Sequence, residues 1–110
     1  MMTDLVLVLT TMPDDHGVEE LARTLVDERL AACVQVHGAM RSTYRWQGQV
    51  ACDSERQVVI KTTRGRLPAL EARLGALHPY ALPEFVVLPA EEGSAAYLEW
   101  VAAQVRPDHD

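Results

Sequence analysis

The chain has 110 residues, a formal net charge of −6, 48% hydrophobic and 24% charged residues, which is enough for one globular core, too little for two, and too apolar for a disordered segment. A single lysine among scattered arginines excludes a nucleic-acid footprint, which needs clustered cations, and the acidic balance repels an anionic membrane surface. No basic leader precedes the short apolar run Leu5 to Leu9, so neither a signal nor a membrane span is expected and the chain is expected in the cytoplasm.

Leu5-Val6-Leu7-Val8-Leu9 reads as a central strand ending at Thr10-Thr11. Met12-Pro13-Asp14-Asp15 breaks it, and the aspartates offer an N-cap to an amphipathic helix carrying Val18, Leu21, Ala22 and Leu25 on one stripe to about Leu30. From Ala31 to Thr63 the pattern is one long antiparallel hairpin. Its arms are rich in β-branched and aromatic residues and turn at Gln47-Gly48, where glycine tolerates positive φ. Each arm has roughly 13 residues, about twice the usual strand. Asp53-Ser54-Glu55 interrupts the second arm as a bulge or kink.

A second helix begins with Pro68 in its first turn and aligns Leu67, Leu70, Leu74 and Leu77. The prolines of His78-Pro79-Tyr80-Ala81-Leu82-Pro83-Glu84 end it, and Phe85-Val86-Val87-Leu88 forms a fourth strand closed by Pro89. Ser94 caps a last helix whose buried face is Tyr97, Leu98, Val101, Ala102 and Val105, followed by a frayed tail from Arg106 to Asp110. The order β α β β α β α gives an α+β chain of one domain: a ferredoxin-like split βαβ with an antiparallel sheet, helices on one face and an added C-terminal helix. The uncovered sheet face and the overlong hairpin both point to an oligomer.

With the turn at Gln47-Gly48, Cys52 falls opposite Thr43 and Cys33 opposite Thr62. The thiols are then about ten residues apart, roughly 33 Å at strand rise, whereas a bridge needs Cα atoms within about 7 Å. No intrachain disulfide is expected, and Cys33 reads as a buried apolar thiol.

Ala31-Ala32-Cys33-Val34, Tyr44-Arg45-Trp46-Gln47-Gly48, Ile60-Lys61-Thr62-Thr63, His78-Pro79-Tyr80 with Pro83-Glu84, and Tyr97-Leu98-Glu99-Trp100, in this order, resemble the CutA divalent-cation tolerance proteins. The resemblance runs from Leu5 to Val105. It implies a ferredoxin-like fold, an intertwined homotrimer whose hairpins extend neighbouring sheets, and a link to copper and other divalent metals. It also implies likeness to the PII signalling trimers, which bind small effectors in clefts between subunits. Two departures stand out: Gln35 replaces the usual Asn after Ala-Cys-Val, and Thr10 and Thr11 stand where some bacterial members place a cysteine.

The residue chemistry leaves several readings open. His78 and Glu84, near two rigid prolines, are the best candidate ligands for a borderline divalent ion such as copper, one not required for folding. Equally, His78 caps the second helix and Glu84 starts a strand. His37 and the tail His109 are weaker candidates. Lys61 either neutralises a small anionic ligand in an intersubunit cleft or pairs with Glu55 of another copy. Gln35, Tyr44, Trp46, Tyr80 and Trp100 are further cleft candidates. No nucleophile and base are paired and no arginine-bearing anion loop is visible, so a non-enzymatic role is expected: metal response, or, as the alternative, PII-like sensing of an anionic metabolite.

Overall fold

The computed structural model describes residues 3–107; the tail His109 lies outside them. The element order is β1 Leu5–Pro13, α1 Gly17–Asp27, β2 Cys33–Trp46, β3 Gln49–Thr63, a 3-10 turn Arg64–Arg66, α2 Leu67–Leu77, β4 Val86–Pro89 and α3 Ala95–Gln104. The strands form one sheet in the order β2-β3-β1-β4, every neighbouring pair antiparallel. This is the split βαβ arrangement, with an added C-terminal helix.

Alternation sorts β1 onto two faces. Val6, Val8, Thr10 and Met12 are buried with Val58 and Ile60 against Val18, Leu21 and Leu25 of α1 and Leu70 and Leu74 of α2. On the opposite face, α3 covers only one end, where Val101 and Val105 pack on Leu5 and Ala32. The rest of that face, Leu7, Leu9, Val59, Val86 and Leu88, has no helix of its own. Val86 and Leu88 are accordingly 45% and 42% exposed, a wet apolar surface of the kind that marks contact with another molecule.

Several boundaries differ from the sequence reading, each for a local reason. β1 continues past Thr11 because β3 is long enough to pair with Met12 and Pro13, and β4 reaches only Val6 to Leu9, so the proline lies on an edge where its missing N–H costs nothing. α1 stops at Asp27 rather than Leu30. Arg29 takes φ 60° and the Leu30 and Arg29 N–H groups donate back to the Leu25 and Val26 carbonyls, a Schellman closure. His16, not an aspartate, occupies the N-cap and makes no side-chain cap, while Asp15 Oδ1 accepts from the Gly17 N–H at 2.9 Å.

The bulge is displaced to the other arm. β3 is continuous through Asp53-Ser54-Glu55, and the irregularity falls in β2 between Val36 and Ala39, where His37-Gly38 gives two residues against Gln57 alone. Asp53 and Glu55 are polar because they receive tyrosine hydroxyls, not because pairing fails there. The extra residue moves Cys33 opposite Lys61 rather than Thr62, onto the open face, where its side chain is half-buried instead of buried. The turn itself is as read: Gln47 and Gly48 have φ of 50° and 80°, both in the left-handed region that a tight hairpin requires.

β4 begins at Val86, with Phe85 packed against the core just before it. Leu77 leaves the apolar stripe of α2 and is exposed, as are Tyr97 and Ala102 of α3, so only Leu98, Val101 and Val105 of the expected face pack inward. Ser94 caps α3 as expected, its Oγ accepting from the Tyr97 N–H at 3.3 Å.

Among the described residues one buried side-chain group is unsatisfied. The Thr10 hydroxyl is fully inaccessible and finds no hydrogen-bond partner. Such a hydroxyl costs about 1–3 kcal/mol. Thr10→Val, which keeps the shape and removes the oxygen, should therefore raise the melting temperature; an unchanged or lower midpoint would show that the hydroxyl is satisfied in solution.

Candidate functional site

The expected site residues separate into three groups. The first is built where the segment after α2 crosses the end of β1. The His78 N–H closes α2 on the Leu74 carbonyl at 2.8 Å. Its ring is buried, with Nε2 2.7 Å from the Thr11 carbonyl oxygen and Nδ1 3.1 Å from the Tyr80 backbone N–H. A carbonyl only accepts, so Nε2–H donates to Thr11 and Nδ1 offers its lone pair to the Tyr80 N–H: both nitrogens are occupied. The Tyr80 ring packs on the imidazole, centroids 4.7 Å apart, and its hydroxyl donates to Glu55 Oε2 at 2.6 Å. Glu55 is itself buried. Burial and this bond hold the Tyr80 hydroxyl well above its ordinary pKa. His78, Tyr80 and Glu55 thus form one clasp between the α2–β4 segment, β1 and β3.

Glu84 is exposed before β4 and makes no hydrogen bond or ion pair among the described residues. No group of three or more His, Cys, Asp and Glu side chains gathers in cation-binding geometry among the described residues. Both imidazole nitrogens are committed in this conformation, so a cation at His78 must displace one of these hydrogen bonds.

The second group lies on the hairpin beyond the core. The molecule measures 45 × 32 × 23 Å, and its radius of gyration of 14.9 Å exceeds the roughly 13 Å of a compact domain this size, because the hairpin projects. Tyr44 donates to Asp53 Oδ2, which raises the tyrosine's pKa, and Trp46 is exposed at the tip opposite Gln49. On the reverse face, Thr43 and Arg41 contact the Cys52 sulfur at 3.6 and 3.4 Å and draw its thiol below the usual pKa. Cys33 and Cys52 are free and lie at opposite ends of the β2–β3 ladder. Mass spectrometry of the oxidised chain should find no Cys33–Cys52 bridge; finding one would contradict the register.

The third group surrounds Lys61, which stands on the open face between Leu7 and Cys33, with Gln35 two pairs further along beside Val59. Its Nζ lies 5.9 Å from the centroid of Tyr97, whose ring packs against Trp100. Sequence reasoning assigned Tyr97 to the core and did not single out Asp53. The i, i+3 spacing of Tyr97 and Trp100 was the available signal for a second, outward aromatic stripe on α3.

The model of the CutA1 divalent ion tolerance protein family matches residues 6–104, nearly the whole described chain. The divalent-cation tolerance protein CutA of Thermus thermophilus is 46% identical over 95 residues, covering 86% of this chain and 92% of the relative. That of Pectobacterium atrosepticum is 41% identical over 105 residues, covering 96% of each. The crystal structure of CutA from Xylella fastidiosa superposes with a TM-score of 0.91 at 41% identity, covering 94% of this chain and 100% of that one. Sequence, fold and coverage agree, and the chain belongs to the CutA1 divalent ion tolerance protein family.

Proposed function

We propose that the chain works without catalysis, as a homotrimer that serves tolerance of divalent cations. The observation that carries the assembly is the open half of the sheet, where Leu7, Leu9, Val59, Val86 and Leu88 present apolar side chains that no helix of the same chain covers. The projecting hairpin supports it, because arms of 14 and 15 residues extend past the core and offer strand edges to a neighbouring copy. The relatives' names supply the cation context.

Copper(II) is the favoured cation, since a nitrogen and oxygen donor set follows the Irving–Williams order. The donors in this reading are His78 and Glu84. A cation reaches the imidazole only in competition with the Thr11 carbonyl or the Tyr80 N–H, so binding is weak and the fold does not depend on it. Sedimentation equilibrium should return three copies of the 12.2 kDa chain. Calorimetry on metal-free protein should detect copper(II) more readily than zinc(II), with the signal lost in His78→Ala. A monomer overturns the assembly, and an unchanged isotherm in His78→Ala overturns the cation site.

A second reading, a cleft for a small anionic ligand, is favoured by one observation. The Lys61 ammonium makes no ion pair among the described residues.

Cellular location in this reading is the cytoplasm. No helix among the described residues is long and apolar enough to cross a membrane.

A further inference from the structure

Lys61 is the chain's sole lysine, and it is half-buried on the open sheet face between Leu7 and Cys33. Its ammonium makes no hydrogen bond or ion pair among the described residues; what it meets is the face of Tyr97, 5.9 Å away. A single ring at the edge of cation–π range is a weak substitute for a counter-charge. Beyond Tyr97 lies Trp100, centroids 5.6 Å apart and planes inclined by 30°. The two rings are 38% and 45% exposed. Helix α3 therefore buries Val101 and Val105 and leaves its largest apolar side chains outside, beside the unpaired cation. Aromatic surface next to one uncompensated charge is the composition of a small-molecule site, in which stacking supplies affinity and one polar group fixes orientation.

We propose that Lys61, Tyr97 and Trp100 bind a small ligand that joins a flat aromatic ring to an anionic group, the ring lying on Trp100 and Tyr97 and the anion meeting the Lys61 ammonium. This deepens the anionic-ligand reading above and rests on it; it is independent of the copper site. The ring requirement comes from the exposed Tyr97–Trp100 pair and the charge requirement from Lys61. A purely aliphatic acid satisfies only the second, a neutral aromatic only the first.

The test compares matched probes by calorimetry on the whole chain: AMP against adenosine, and benzoate against benzamide, with inorganic phosphate and acetate as ringless anions. At least one anion of the two pairs should bind tenfold or more tightly than its uncharged counterpart and than the ringless anions, a nucleotide if AMP alone does so and an aromatic acid if benzoate alone does. Lys61→Gln should abolish the difference within that pair, whereas Trp100→Ala should weaken both members alike. Circular dichroism and sedimentation confirm that each variant keeps its fold and mass. An affinity unmoved by Lys61→Gln overturns the proposal. If phosphate or acetate binds through Lys61 as tightly as the aromatic anions, the anionic-ligand reading stands and the aromatic site falls. If no anion binds and Lys61→Gln alters the mass of the assembly, the counter-charge comes from a second copy, and the proposal is overturned.

Discussion

Leu9→Asp is expected to turn a species of three chains into one that sediments as a single chain. Leu9 stands in the middle of the open face, opposite Val59 on β3 and Val86 on β4, so any second copy that covers the face must cover this residue. In the isolated chain Leu9 is only half-buried, so an aspartate there keeps access to water. In an assembly each carboxylate is desolvated without a partner, at several kcal/mol per ion, and a threefold contact repeats the penalty three times. Unfolding of the parent should depend on protein concentration, and that dependence should vanish in the variant. The hairpin gives an independent readout. Thr43 and Arg41 hold the Cys52 thiol below its ordinary pKa, which favours the reactive thiolate wherever solvent reaches it. Assembly through the hairpin should shield Cys52 from iodoacetamide, and Leu9→Asp should expose it. Glu71→Gln, at an exposed position of α2, should change neither measurement. A Leu9→Asp chain that retains its mass would place the intersubunit contact elsewhere.

The order of elements and the open face were legible in the sequence because both follow from periodicity. Val6, Val8 and Leu7, Leu9 alternate along β1, and α1 and α2 cover one sheet surface; the expected helix-free face is open only in part, since α3 packs over one end of it, at Leu5 and Ala32. The Gln47-Gly48 turn was legible because glycine marks positive φ, and it placed Thr43 opposite Cys52 correctly. The bulge was misplaced. Polarity at Asp53-Ser54-Glu55 looked like a break in pairing, but Asp53 and Glu55 accept from tyrosines and Ser54 donates to Asp14, and the extra residue went to His37-Gly38, where a glycine inside the strand run was the signal. The cost was one residue of register, enough to turn Cys33 onto the other face. For the candidate site, the proximity of His78 and Tyr80 was visible in two prolines and a short loop. Their bonds to Thr11 and Glu55 were not, since those partners are 67 and 25 residues away in the chain.

His78→Ala is expected to cost about 2–4 kcal/mol with no metal present, because it strips partners from two backbone groups and removes packing from Tyr80. The Thr11 carbonyl loses the Nε2–H and the Tyr80 N–H loses the Nδ1 lone pair, both at a side chain only 7% exposed. Tyr80→Phe should cost less, about 1–2 kcal/mol, since it deletes only the hydroxyl that reaches Glu55. The pH dependence separates the two contributions. A tyrosine whose folded pKa is raised above its unfolded value near 10 stabilises the fold below that value and loses this contribution as pH rises through and beyond it. The Tyr80 bond should therefore be intact at neutral pH, and the stability gap between the parent and Tyr80→Phe should narrow only in strongly alkaline solution. Chemical denaturation at pH 7 and above pH 10 measures both. If His78→Ala melts like the parent in metal-free buffer, the imidazole does not clasp the loop to β1. Its nitrogens would then be free to serve a cation.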